Sequence, residues 1–210
     1  MTKIRLIFFS VFSVLFLLTG CYDSDLDKVK IVNQIQKYRM EKDLSFKISV
    51  TSPIPDDHKK NFQGLNYFPI DLKYRFQAPL RLYHEKKTFK IVTSSGLQRD
   101  AQKYGYFEFE MKGKDCILQV YKLLDIQEKY PDYLFVPFMD ATTGKESYPA
   151  GRYLDFQEND SGIYDLDFNL AYNPSCAYGK AGYNCPIPPA ENRLEVAIKA
   201  GEKSYMKESH

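Results

Sequence analysis

The chain of 210 residues has no tryptophan, only three histidines and only four cysteines. His58 and His84 lie in charged stretches, and His210 is the last residue. No motif of the sequence therefore joins a histidine to a serine or cysteine, as nucleophilic hydrolases require. This shortage argues against a Ser–His or Cys–His enzyme.

The sequence also lacks any block of like charge. Its 29 basic and 27 acidic residues give a net charge of +2, spread along the chain. A nucleic-acid partner is therefore not expected, since such proteins carry a basic patch. Thr143-Gly144-Lys145 is not a phosphate loop, because Met139 stands where the first glycine should be. Repeats and low-complexity segments are absent as well.

Long apolar runs are missing except at the amino terminus. Leu6 to Leu18 follows Lys3 and Arg5, a pattern that predicts a secretory signal over residues 1–20. The run ends in Leu18-Thr19-Gly20-Cys21, which resembles the bacterial lipobox. The resemblance implies that Cys21 is acylated and that the protein is anchored to a membrane.

The residues after Cys21 bear on the location of the anchored protein. Residues 21–24 are predicted to form the lipidated tether. Tyr22, rather than aspartate, follows the cysteine, and by resemblance to the enterobacterial sorting rule this implies the outer membrane. The expected location is therefore the bacterial cell envelope, with the protein lipid-anchored to the outer membrane.

Three cysteines remain for the folded part, in a compartment expected to be oxidising. Cys176 and Cys185 flank a loop with two glycines and are the natural disulfide pair. The alternative is two buried thiols. Their spacing is wrong for a zinc knuckle, so neither a metal nor a cofactor is expected. Cys116, in an apolar segment, is predicted to be a buried free thiol.

The composition and the periodicity favour sheets over helices. Aromatic residues make up 15% of the chain, nearly evenly divided between Tyr and Phe. One helix is predicted over residues 25–45, a β domain over 46–202 and a polar tail over 203–210. The fold class is therefore mainly β, a single antiparallel β-barrel or sandwich-like domain after one N-terminal helix. The predicted strands are 46–51, 72–83, 88–93, 104–111, 116–123, 133–139, 152–156, 164–168 and 193–198.

One predicted strand carries three polar side chains on the same face. Alternation along residues 163–169 places Asp165, Asp167 and Asn169 together. If this face is enclosed, one carboxyl pKa should rise or a cation should lie between the two acids. If the face is open to water, neither is required. The EF-hand pattern fails here, because Leu170 and Cys176 occupy the positions that need glycine and glutamate.

Several segments occur in a characteristic order, among them Phe62-Gln-Gly-Leu-Asn-Tyr-Phe68, Phe135-Val-Pro-Phe-Met-Asp140, Gly151-Arg-Tyr-Leu154, Ala171-Tyr-Asn-Pro174, Cys185-Pro-Ile-Pro-Pro189 and Ala200-Gly-Glu202. Through these segments, residues 62–202 resemble a bacterial family of domains of unknown function, DUF1684. The resemblance is to the shorter members of the family. It implies no catalytic residue, because the family brings no established activity. Members without an export signal carry the same cysteine pair, which keeps the alternative of two packed thiols open.

These observations define a candidate ligand pocket of polar and aromatic residues. Its members are Asp140, Tyr148, Arg152, Asp165, Asp167, Asn169, Asn173, Tyr178, Glu191 and Asn192. Arg152 is the expected counter-ion of Asp167 or Glu191. A closed ion network with a purely structural role is the simpler account of the same residues.

Two functions follow from this pocket. The favoured one is a non-enzymatic binding or structural domain that presents the pocket to a small ligand or an envelope partner. The alternative is a hydrolase-like enzyme with Asp167 and Glu191 as acid and base.

Overall fold

The structure, a computed structural model, describes residues 22–205, with side chains from residue 25 onward. The predicted signal peptide, Cys21 and residues 206–210 lie outside this range. Two helices, α1 (Tyr22–Ile48) and the short α2 (Asp56–Lys59), precede eight strands. The strands are β1 (Arg75–Pro79), β2 (Arg81–Leu82), β3 (Thr88–Val92), β4 (Gln98–Met111), β5 (Lys114–Leu123), β6 (Tyr133–Phe138), β7 (Arg152–Gln157) and β8 (Ile163–Asp167).

The strands form two antiparallel sheets. The larger has the order β2-β4-β5-β6-β7, with β3 also paired to β4, and the smaller joins β1 to β8. The β4–β5 hairpin turns at Lys112 and Gly113, both with positive φ, as the right-handed twist of a tight hairpin demands. The larger sheet does not close on itself, so the fold is mainly β and sandwich-like, as the sequence predicts.

The main core lies between the two sheets. Phe107 of β4, Leu118 of β5, Val136 of β6 and Leu166 of β8 are fully buried in one cluster. Aromatic rings join the layers, with Phe76 of β1 at 5.0 Å from Phe109 of β4 in ring-centroid distance. Alternating side chains of facing strands thus bury one side of each sheet. Cys116 belongs to the same cluster and is a buried free thiol, as predicted.

The prediction of a strand over residues 46–51 was wrong, because α1 continues to Ile48 and a turn follows. The alternating apolar residues Phe46, Ile48 and Val50 do not form the buried face of a strand, since Ile48 and Val50 are exposed. Phe46 instead packs edge-on against the buried Tyr178, with 4.9 Å between ring centroids. The helical backbone thus turns Phe46 toward the domain, and tertiary context overrides the local alternation.

The prediction of a strand over residues 193–198 was also wrong, although the side chains are buried in the expected pattern. Leu194, Val196 and Ile198 are buried in alternation, as expected of a strand. The segment nevertheless makes only an isolated bridge, between Met139 and Arg193. The amide of Leu194 and the carbonyl of Val196 bond to the backbone of Met139 and Ala141, and side chains, described below, bind the backbone groups of Ile198.

Helix α1 is attached to the β domain mainly along its second half. Arg39 donates to the carbonyls of Phe68 (2.9 Å) and Asn169 (3.1 Å), and Asp43 accepts from the amide of Leu65 (3.1 Å). The first part carries the exposed apolar side chains of Leu26 and Val29. No helix among residues 22–205 combines the length and the apolar character that crossing a membrane would require.

Candidate functional site

Arg152, the first residue of β7, is fully buried and is the centre of a network. Its guanidinium lies 3.3 Å from the Asp140 carboxylate. The two terminal nitrogens donate to the carbonyls of Ile198 (2.9 Å), Ala200 (2.5 Å) and Glu202 (3.1 Å). Burial lowers the pKa of the Arg152 guanidinium, and the Asp140 carboxylate opposes that shift. The pair therefore fixes residues 198–202 rather than facing solvent.

Asp140 completes the network from the other side. Its carboxylate accepts the amide of Ile198 (2.6 Å) and the hydroxyl of Thr142 (2.9 Å). Arg152 faces Phe138, two residues before Asp140, in the β6–β7 register. This pairing of β6 with β7 brings the Asp140 carboxylate within reach of the Arg152 guanidinium.

The expectation that Arg152 neutralises Asp167 or Glu191 was wrong. Asp167 lies 3.6 Å from Arg75 of β1, which also binds Asp165 at 2.7 Å. The β1–β8 register explains this choice, because Arg75 is directly opposite Asp167.

Glu191 belongs to a different cluster. It accepts from Lys103 of β4 (2.5 Å) and from the hydroxyl of Tyr121 of β5 (2.7 Å). Burial, together with this hydrogen bond, raises the pKa of Tyr121 above its usual value. Both oxygens of Glu191 are thus occupied by donors of the larger sheet.

The three polar residues on the face of β8 occupy different environments. Asp165 is half-exposed and Asp167 is 4% exposed, and β8 ends at Asp167. Asn169 lies in the following 3-10 turn (Phe168–Leu170), where it donates to the Asp167 carboxylate (2.8 Å). Burial raises the pKa of Asp167, and the Asn169 bonds and the Arg75 charge lower it by less. The Arg75 guanidinium is the cation that the two acids require.

Two buried asparagines tie distant segments together through their amides. Asn192 accepts from the amide of Gln119 (2.7 Å) and donates to the carbonyls of Gln119 (2.9 Å) and Pro137 (2.7 Å). Asn169 accepts from the amide of Asp71 (2.9 Å) and donates to its carbonyl (2.9 Å). Each side chain imitates the pairing of a neighbouring strand, which is a structural role.

Glu202 is a buried acid that the sequence interpretation did not include. Its carboxylate lies 2.6 Å from Lys42 of α1 and accepts from the hydroxyl of Tyr178 (2.5 Å) and the amide of Asn173 (3.0 Å). Burial, followed by the charge of Glu202, raises the pKa of Tyr178 far above its usual value. The segment Ala200-Gly-Glu202, which matches the family motif, was the available signal.

Cys176 and Cys185 form a disulfide, called here the loop disulfide. Ser94, which follows β3, makes two hydrogen bonds to Cys185. Its amide donates to the Cys185 carbonyl (2.8 Å), and its hydroxyl oxygen accepts from the Cys185 amide (3.1 Å). Ile187 then donates to the carbonyl of Val92 (2.8 Å). The loop disulfide and the segment 185–187 thereby cover the outer edge of β3.

A cleft of about 760 Å³ opens beside this loop. Residues of four separate segments line it, namely 66–67, 144–146 with 148–149, 176–177 with 179, and 203–205. We call it the tyrosine cleft, after Tyr67, Tyr148 and Tyr205 in its lining. Of the ten residues expected to form a pocket, Tyr148 alone lines it. Asp140, Arg152, Asp167, Asn169, Asn173, Tyr178 and Asn192 are buried instead, while Asp165 and Glu191 lie at the surface in ion pairs.

The arrangement offers little for metal or acid–base chemistry within residues 22–205. That range contains no group of three or more His, Cys, Asp or Glu side chains placed to hold a metal ion. Asp167 and Glu191, the expected acid and base, have separate partners on separate sheets. The chemistry that the site can supply is binding through aromatic rings, hydroxyls and ammonium groups.

Comparison with known proteins gives a family but no activity. The model of the family described as "Protein of unknown function (DUF1684)" matches residues 60–203. The solution NMR structure of an uncharacterised protein of Haloarcula marismortui is similar, with a TM-score of 0.65 and 34% identity over 89% of this chain and 100% of the other. None of the curated proteins matches the chain. The chain therefore belongs to the DUF1684 family.

Proposed function

We propose that this protein is a lipid-anchored binding protein of the bacterial cell envelope, held at the outer membrane through Cys21. Two features of the sequence support the anchor, the apolar run that ends at Leu18 and the cysteine that follows the small residue Gly20. Helix α1 (Tyr22–Ile48) lies between the proposed anchor and the β domain. The β domain is then carried by a helix of about 40 Å, at 1.5 Å for each of its 27 residues.

The tyrosine cleft is the proposed binding site, and one observation carries this choice. The charged and amide residues of the family motif bind one another or the backbone, as the partners of Arg152, Asn169 and Asn192 illustrate. Such groups stabilise the fold and are not available to a ligand. The cleft, at about 760 Å³, lies in the size range of small-molecule sites.

A binding role is favoured over hydrolysis by the same geometry. A glycosidase-like pair needs one carboxyl group on each side of a shared opening. Asp167 is buried beside Arg75, and Glu191 is bound by Lys103 and Tyr121. These acids occupy separate clusters, so neither of them reaches the cleft, whose lining among residues 22–205 includes no second acid besides Glu146.

The anchor is tested by fractionating cells that express the full chain and its Cys21→Ala variant. The full chain is expected in the membrane fraction with an acylated amino terminus by mass spectrometry. The variant is expected to lack the acyl chains and to leave the outer membrane. Cys116→Ala is the matched control, because Cys116 is buried in the core and should not affect the anchor. Membrane attachment of Cys21→Ala equal to that of the control would contradict the proposal.

A further inference from the structure

We propose that the tyrosine cleft recognises an acidic carbohydrate, a sugar ring that carries a carboxylate. This inference rests on the proposed function, which makes the cleft a ligand site. The class of ligand follows from the aromatic rings, the hydrogen-bonding groups and the charges that line the cleft.

The aromatic rings supply firm apolar surface. Tyr205 packs edge-on against the buried Tyr178, with 5.5 Å between ring centroids, and Tyr178 is held by Glu202. Tyr67 is fixed from behind by Arg39, whose guanidinium lies 4.5 Å from the ring centroid. Tyrosine offers a large, rigid and amphipathic contact at low entropic cost. The C–H faces of a sugar ring are suited to such a surface.

Hydrogen-bonding groups of the cleft remain available beside these rings. Within residues 22–205, the hydroxyls of Tyr148, Ser204 and Tyr205 have no protein partner. Asn66 donates to the carbonyls of Ser204 (3.2 Å) and Tyr205 (3.3 Å), which leaves its own oxygen as an acceptor. A row of donors and acceptors next to aromatic rings matches a polyhydroxylated ring better than an apolar ligand.

The charges of the lining favour an acid. Glu146 is paired with Lys199 at 3.2 Å, so its charge is neutralised. Lys145 has no acidic partner within residues 22–205, and Lys203 lies over the Phe68 ring at 5.0 Å from its centroid. Within residues 22–205, these two lining residues thus bring positive charge without an acidic partner. Among residues 22–205, neither an arginine nor the first turn of an α-helix lines it, so the bidentate and helix-terminus contacts that strengthen phosphate binding are not supplied. A carboxylate is the better match.

The inference is tested by isothermal titration calorimetry on the full chain in phosphatidylcholine nanodiscs. The charged probe is a hyaluronan tetrasaccharide, in which glucuronate alternates with N-acetylglucosamine, and the neutral probe is chitotetraose. We expect the hyaluronan tetrasaccharide to bind about tenfold more tightly and to lose that advantage at high salt. Glutarate, an acid without a sugar ring, should bind more weakly than either saccharide.

Three variants separate the contributions. Tyr148→Ala should weaken both saccharides about tenfold or more, as loss of an aromatic anchor does. Lys145→Met should weaken the hyaluronan tetrasaccharide about two- to fivefold and leave chitotetraose unchanged. Lys90→Met is the matched control, since Lys90 lies on β3 in an exposed pair with Asp100 and should change neither affinity. Lys145 is exposed in a turn, so its variant should fold normally.

The results distinguish failure of the acidic-carbohydrate inference from failure of the proposed binding function. Equal binding of the two saccharides, or unchanged binding by Lys145→Met, would overturn the acidic class. If neither saccharide binds but native mass spectrometry finds another small molecule that Tyr148→Ala loses, the inference is wrong and the proposed binding function stands. If neither saccharide binds and no small molecule is retained, both are wrong.

Discussion

Replacing Asp140 by asparagine tests whether the buried polar residues form a structural network. The asparagine keeps the size of the side chain but removes the charge that faces Arg152 at 3.3 Å. It also puts an amide nitrogen among donors, since the Asp140 carboxylate accepts from Ile198 (2.6 Å) and Thr142 as well. The Arg152 guanidinium would then be buried without a counter-ion.

The expected cost is large because both partners are inaccessible to water. The side chains of Arg152 and Asp140 are 1% and 0% exposed. Breaking a buried pair on one side costs about 3–5 kcal/mol, a large share of the stability of a typical domain. For a domain of this size, that corresponds to a fall in Tm of roughly 6–20 °C.

Urea unfolding of a chain that begins at Tyr22 measures this change. Asp100→Asn is the matched control, since its pair with Lys90 is exposed on both sides and should contribute at most about 1 kcal/mol. The double variant Asp140→Leu with Arg152→Met should not recover stability, because three carbonyls lose their donors. An Asp140→Asn protein within about 1 kcal/mol of the wild type would refute the reasoning.

Further changes test the turn, the strand face and the disulfide. Gly151→Ala should destabilise the protein by about 1–3 kcal/mol more than Gly96→Ala. Both glycines have positive φ, but only a Cβ at Gly151 would meet a backbone oxygen, at 2.6 Å. Equal urea midpoints of the two variants would contradict this prediction. The raised pKa of Asp167 means that the folded state holds this proton more tightly, so its contribution to stability falls as pH rises from about 4 through the folded pKa. Asp167→Asn should flatten that decline in urea unfolding between pH 3.5 and 7, and an unchanged pH profile would exclude the buried-acid account. In the unfolded, non-reduced chain from Tyr22, alkylation should modify Cys116 alone, whereas labelling of three cysteines would reject the loop disulfide.

Local sequence patterns were sufficient for most of the sheet. The hairpin from Tyr104 to Leu123 and the apolar strand from Tyr133 were predictable because alternation and turn residues act over a few positions. The stretch around Phe46 was not predictable, since its conformation depends on Tyr178, which lies far away in the sequence.

The pairing of charges was harder to predict than the positions of the strands. The sequence marks Arg152, Asp167 and Glu191 as polar residues in an apolar domain. It does not show that Asp140 faces Arg152, because that contact depends on the β6–β7 register. The backbone of residues 198–202 likewise bonds to the Arg152 and Asp140 side chains instead of a strand. An alternating pattern of apolar residues cannot reveal that side chains bind the backbone in place of a neighbouring strand.

The tyrosine cleft could not be predicted from local sequence patterns, for a different reason. Its lining comes from four segments, which are spread along the sequence from Asn66 to Tyr205. Tyr148 and Cys176 were singled out in the sequence for other reasons, and the remaining lining residues belong to ordinary surface loops. Three-dimensional proximity is what makes these residues a site.

Native mass spectrometry of the full chain extracted from its own membranes tests the binding role most directly. The account predicts a chain acylated at Cys21 that carries a small non-covalent molecule with the mass of an acidic saccharide. The molecule should be lost from Tyr148→Ala and kept by Asp165→Asn, whose carboxylate lies at the surface away from the cleft. A bare chain, or a molecule retained equally by both variants, would contradict the assignment of the tyrosine cleft as the binding site.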